Sequence, residues 1–421
     1  MTRSSRAFAS SRAFADRAAT RATGFASGPG PTPSVVRLSV PGARRAGSGG
    51  RWGLVLGGGG VLGAAWLVGA LEALERTRGI DARQAQLILG TSAGSVIGAL
   101  LAAGVSVAEQ RSEQLAAGGT GGRLSGAADL DLDRPAGPSV PPRPRLRPGS
   151  AALLRNNRRT LRELPCTTLL AGIAPVGRRT MTGVGRLIDS VVPAGEWVSH
   201  PGFRAVALDY EVGRRAVFGD PDAPPAGLSE AVLASCAIPG WFAPVTIGGR
   251  RYVDGGMWSA TNVDLLAGAG LDEIFVLAPM FSAAYDSPGD WRTKVERRLR
   301  VASTRRCLTE ARKVHLSGTA VTMLGPGPED LALMGYNLMA PQRRRVVLES
   351  AVRTGLTAFA EPSLLLDLDR PPVRSGPGGL PPGNRPRAMA PRPRTWSDSS
   401  SGTSTSSGTN NTTSRTETEH G

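Results

Sequence analysis

Twice within fifty residues this chain runs a short apolar stretch into a glycine-rich turn, then into small and apolar residues at helical spacing. The first pass is Trp52–Leu56, the four glycines Gly57–Gly60 and then VLGAAWLVGALEAL. The second is Gln86–Leu89, the turn GTSAGS and Val96–Ala103. In the first helical stretch Leu62, Trp66, Gly69, Ala70, Ala73 and Leu74 fall on one face, as a period of 3.6 requires. Strand, glycine turn and helix, repeated, open an α/β unit.

The rest of the chain continues the alternation. Leu153–Leu170 reads as helix, Phe203–Leu208 and Arg215–Phe218 as strands, and Leu228–Ala237 as a helix ended by IPG. Val245–Ile247 and Arg251–Val253 predict a hairpin, Ile274–Leu277 a buried strand. Arg297–Lys313 predicts an amphipathic basic helix, and Val346–Phe359 the last one. The expected class is α/β with a mostly parallel central sheet. One domain over residues 51–365 is expected, interrupted at 118–149 by a Pro/Arg/Gly-rich insertion that reads as irregular chain or a lid.

Both ends read as disordered tails. Residues 1–50 repeat SSRAFA at Ser4–Ala9 and Ser10–Ala15, and residues 366–421 pass from Pro/Arg-rich into Ser/Thr-rich sequence. Neither has enough large apolar side chains to offset the entropy of ordering. The formal charge of +16 is concentrated there and in the Pro-rich loop, without a nucleic-acid motif and with few aromatics. No specific nucleic-acid partner is therefore expected; the sharper use of such charge is weak peripheral contact with anionic lipid. Cys166, Cys236 and Cys307 show no metal or disulfide spacing, which fits a reducing compartment. The N-terminal stretch lacks the apolar core of a secretory leader, and no run reaches about 18 apolar residues. A cytoplasmic location is expected.

Three features carry chemistry. Gly90-Thr91-Ser92-Ala93-Gly94 is a GxSxG pentapeptide between a strand and a helix, where glycines let backbones approach and the helix N-terminus favours negative charge. A serine nucleophile needs a base, usually histidine, but the chain has only His200, His315 and His420. His315 follows a strand, which keeps a conventional triad open. Asp254, ahead of Gly255 and Gly256 at a strand end, is the other candidate base; Asp-Gly-Gly is equally a common turn. Finally, Gly57, Gly58, Gly59 and Gly60 form a nest of amides for an anion, either an oxyanion or a phosphate. No Walker lysine follows, so nucleotide binding fits poorly.

In this order and spacing the blocks resemble the patatin-like phospholipases, the compact bacterial members in particular. The matching residues are GGGGVLG at 57–63, GTSAG at 90–94, ASCAIPGWFAPV at 234–245 and DGG at 254–256. The resemblance is firm over 51–280 and thins towards 365. It implies a three-layer α/β/α fold and a Ser92–Asp254 dyad that works without histidine. The Gly57–Gly60 amides would hold the oxyanion, while Gly90, Gly94, Gly255 and Gly256 support the two catalytic turns. It further implies a lipid ester substrate, an acyl-enzyme, and neither metal nor cofactor. A general esterase, thioesterase or acyltransferase is the alternative, and a non-catalytic lipid-binding protein a more distant one.

Overall fold

The computed structural model describes residues 35–115, 148–159, 161, 164–360 and the backbone of 364–365. The expected tails outside this range, and nearly all of the 118–149 insertion, lie outside the described residues.

The first half runs β1 Val35–Leu38, β2 Trp52–Leu56, α1 Gly60–Arg78, β3 Leu87–Thr91, α2 Ala93–Ala102 and α3 Val107–Leu115. Next come α4 Ala151–Asn156, α5 Cys166–Ile173, α6 Thr182–Asp189, β4 Phe203–Asp209, β5 Arg215–Phe218 and α7 Leu228–Cys236. The remainder is β6 Val245–Ile247, β7 Arg250–Asp254, β8 Glu273–Leu277, α8 Trp291–Leu316, β9 Ala320–Leu324, α9 Pro328–Met334, α10 Arg344–Ala360 and β10 Leu364–Leu365.

The sheet order is β10-β1-β9-β8-β2-β3-β4-β7-β6, with β5 also paired to β4. Its centre, β9-β8-β2-β3-β4, is parallel throughout. Both faces are covered, and the alternation along each strand shows how. Leu54, Leu56, Ile88 and Phe203 pack with α1, α2, α7 and α10. Val55, Leu89, Val206 and Ile274 point the other way, towards Cys307, Leu308, Ala311 and Val314 of α8. Five-residue strands this apolar on both faces belong inside an α/β/α sandwich. The three-layer expectation holds.

Several boundaries differ from expectation. Residues 35–50 are not tail: Val35, Val36 and Leu38 are buried, and β1 pairs antiparallel with β9. Four residues beside Pro, Gly and Arg carry too little local pattern to announce a strand; only the distant β9 gives them a place. The helix expected over Leu153–Leu170 is two helices, with Pro165 capping the second. The basic helix is longer than expected, and Arg300 is fully buried in it, bonded to Glu296 at 2.7 Å.

Candidate active site

Strand β4 aligns the two candidate residues. Along one edge, Phe203–Val206 pair with Ile88–Thr91 of β3, and directly beyond them Ala207–Asp209 pair with Asp254–Tyr252 of β7. Strand β5 occupies the opposite edge. Thus β3 and β7 meet nearly end to end: Thr91 lies across from Val206 and Asp254 across from Ala207. Ser92 leaves β3 at that junction.

Ser92 has φ 52° and ψ −124°, a left-handed conformation that a non-glycine residue adopts at a cost of about 1–3 kcal/mol. Close packing holds it there. A Cβ on Gly94 would lie 2.0 Å from the Leu56 carbonyl oxygen, so α2 starts against the end of β2 with no room for a methyl group. On the other side, a Cβ on Gly255 would lie 2.3 Å from the Val206 oxygen. The Ser92 N–H donates to Ser235 Oγ at 2.9 Å, and Ser235 Oγ–H donates to the Val206 carbonyl at 2.6 Å. Ser95 Oγ donates to the Ser92 carbonyl at 2.7 Å.

Asp254 is 2 % exposed. Burial pushes its carboxyl up to about 6, against the pull of hydrogen bonds from the Ser92 hydroxyl and the Gly256 N–H. The Gly256 bond to Oδ1 measures 2.7 Å, and the Asp254 N–H is tied to the Ala237 carbonyl at 2.9 Å. Asn262, buried and left-handed at φ 53°, joins the two turns. Its Nδ2 donates to Thr91 Oγ1 at 3.1 Å and to the Ser259 carbonyl at 2.7 Å, with a longer bond to the Gly255 carbonyl.

The glycine loop lies over Ser92: a Cβ on Gly58 would come within 3.2 Å of the serine Cβ. The four glycines are not equivalent. Gly57 and Gly58 donate to the Leu277 and Ala260 carbonyls, both at 2.9 Å, while Gly59 and Gly60 open α1. Cys236 also borders the dyad. Burial, reinforced by the Asp254 charge, raises its thiol to about 12 despite hydrogen bonds with Ser95 and Ser92.

Ser92 sits in a cleft with ≈ 790 Å³ of empty space out to its mouth. Its walls are apolar, among them Val96, Ile97, Leu100, Val184, Leu187 and Phe242. The histidines are elsewhere. His200 precedes β4 and bonds to the Ala85 carbonyl and the Gly202 N–H. His315 is in the last turn of α8, ahead of β9. Both stand at the N-terminal end of the parallel strands, about 15 Å along the sheet from the end that carries Ser92. His420 lies outside the described residues. Among the described residues no acidic, histidine or cysteine cluster could hold a metal ion.

Sequence reasoning singled out Ser92, Asp254 and the glycines as candidates, and the fold brings Ser92, Asp254 and the Gly57–Gly60 loop together; that reasoning gave no role to Ser235 or Asn262. Ser235 falls within the ASCAIPGWFAPV block, so a signal was present; Asn262 has none, since its partners come together only in the fold.

The family described as Patatin-like phospholipase matches residues 54–118 and 146–267. Over those residues the chain is similar to the patatin-like phospholipases, and lipid acyl hydrolysis is the activity that family carries. Among solved structures, VipD from Legionella pneumophila is similar at 13% identity and a TM-score of 0.36, over 80% of this chain and 71% of VipD. The type III effector protein ExoU is similar at 16% identity and a TM-score of 0.26, over 73% of this chain and 61% of ExoU. No curated protein sequence matches the chain.

Proposed function

We propose that the protein is a serine lipid acyl hydrolase in which Ser92 is the nucleophile and Asp254 its base. The observation that carries the reading is a strained Ser92 on the wall of an apolar cleft, at the junction where the end of β7 brings in the buried carboxyl of Asp254. Asp254 takes the hydroxyl proton as Oγ bonds to the acyl carbonyl carbon. The carbonyl oxygen, now negative, is met by the Gly59 and Gly60 N–H groups, which lie at the positive end of the α1 dipole. Collapse of the tetrahedral intermediate expels the alcohol, which leaves with the proton from Asp254. Water then attacks the acyl-Ser92 ester, giving a proton to Asp254, which passes it to Ser92 Oγ as the tetrahedral intermediate collapses and the fatty acid departs.

A carboxylate at the ordinary value near 4 is a weak base; one pushed up to about 6 is better matched to neutral pH. The apolar walls suit an acyl chain, and the net charge of +16 supports weak contact with anionic membrane surfaces. Among the described residues no helix is long and apolar enough to cross a membrane.

A fluorophosphonate probe tests the nucleophile. One probe mass should appear on the peptide containing Ser92, and labelling undiminished in Ser92→Ala would refute the assignment. Rates on phospholipid vesicles against soluble esters separate a lipid hydrolase from a general esterase.

A further inference from the structure

A second hollow, with ≈ 780 Å³ of empty space, lies at the opposite end of the sheet. It is bounded by the end of β1, the turn that follows, the last turn of α1 and the starts of β8 and β9. Four arginines line it, Arg37, Arg44, Arg45 and Arg78, against one carboxylate, Glu273. They come from three separate segments, so no local sequence effect gathers them. Glu273 is already engaged: Oε2 accepts the Ala46 N–H at 3.2 Å and Oε1 the Thr322 hydroxyl at 3.4 Å.

Arg37 Nε is shut away from solvent with no hydrogen-bond acceptor among the described residues. Arg78 is held over the Phe275 ring at 5.6 Å. Burial, then the charges of Arg78 and Arg45, lower the Arg37 pKa, and Glu273 alone opposes them. Guanidinium groups in this arrangement repel one another unless an anion lies between them. A phosphate carries about −1.5 to −2 charge and several acceptor oxygens suited to guanidinium forks, so it offsets the excess better than one carboxylate does.

We propose that this pocket binds a phosphate group, free or borne on a lipid headgroup, through Arg37, Arg45 and Arg78. The site is separate from the catalytic cleft. Helix α1 begins at the glycine loop and ends at Arg78, and its 19 residues span ~28 Å. A lipid seated at Ser92 therefore does not supply the group; a second molecule does.

Thermal denaturation of the full chain tests this with inorganic phosphate and pyrophosphate, against sodium chloride at equal ionic strength. Phosphate should raise the melting temperature and chloride should not. Arg45→Glu, on an exposed turn, and Arg37→Gln should melt cooperatively without phosphate, yet need at least tenfold more phosphate for the same rise. A second arm compares retention on phosphatidylcholine vesicles with and without phosphatidic acid. Retention lost in Arg45→Glu and competed by free phosphate assigns the site to a headgroup. Retention indifferent to both, with the thermal effect intact, assigns it to a soluble phosphate. No thermal effect and no vesicle retention, or a thermal effect undiminished in both variants, overturns the proposal. None of these readings depends on hydrolysis, so they stand apart from the assignment of Ser92.

Discussion

Helix α1 separates two hollows of opposite construction. At its N-terminus the cleft is made of backbone and small residues: glycine amides, a strained serine and one buried carboxylate, inside apolar walls. At its C-terminus the hollow is made of long cationic side chains from several segments around one carboxylate. The first works by fixing atoms within tenths of an ångström, because its charge develops only during reaction. The second carries its charge permanently and needs only to gather it. Positional error should ruin the first, and salt should weaken the second.

The most severe test of the positional end is Asp254→Asn, which keeps the shape and removes the base. Turnover of a soluble ester should fall about a thousandfold or more, while His200→Ala, His315→Ala and His420→Ala stay within a few-fold. A large loss in one folded histidine variant would restore a conventional triad.

Asn262→Ala comes next. It removes the amide that joins the Thr91 and Gly255 turns and leaves a non-glycine residue at φ 53° without that support. Destabilisation of about 2–4 kcal/mol is expected by chemical denaturation, with a larger loss in kcat than in KM. Intact kcat would show that the turns hold themselves.

Filling the cleft should act on substrate size alone. Val184→Trp should slow long-chain p-nitrophenyl esters by about tenfold and leave acetate esters nearly unchanged. Equal loss on both would mean that the chain lies elsewhere.

The pH response is smaller but has two linked signs. Asp254 works ionised, so kcat/KM should rise with pH through about 6. Its folded pKa lies above the unfolded value, so the native state binds more protons between about 4 and 6 and stability falls as pH rises across that window. Asp254→Asn should therefore be more stable than wild type at pH 8, by roughly 1–3 kcal/mol, and nearly equal to it at pH 3.5. Least of all should salt matter to the cleft: raising sodium chloride to 0.5 M should leave soluble-ester kcat/KM within twofold while weakening phosphate binding at the arginines.

This contrast also explains what the sequence disclosed. The positional end is legible because backbone geometry leaves local marks: Gly57–Gly60, Gly90, Gly94 and Gly255 stand beside the residues they serve. Apolar runs such as Leu54–Leu56 and Ile274–Leu277 likewise announce buried strands. The marks fail where a residue acts at a distance. Nothing near Asn262 points to Thr91, nothing near Arg37 points to Arg78, and β1 is a strand only because β9 lies beside it. The difference between the four glycines is hidden for the same reason, since the carbonyls that engage Gly57 and Gly58 belong to Leu277 and Ala260.

Cys236 bears on the fidelity of acyl transfer. A thiol lining the same cleft as Ser92 could intercept the acyl group as a thioester, but only as thiolate. With its pKa near 12, about one molecule in 100,000 carries that thiolate at neutral pH. Iodoacetamide at pH 7 should accordingly alkylate the exposed Cys166 and spare Cys236, as peptide mapping would show. The cleft thus offers the fatty acid a single address, and the neighbouring sulfur is an inert piece of its wall.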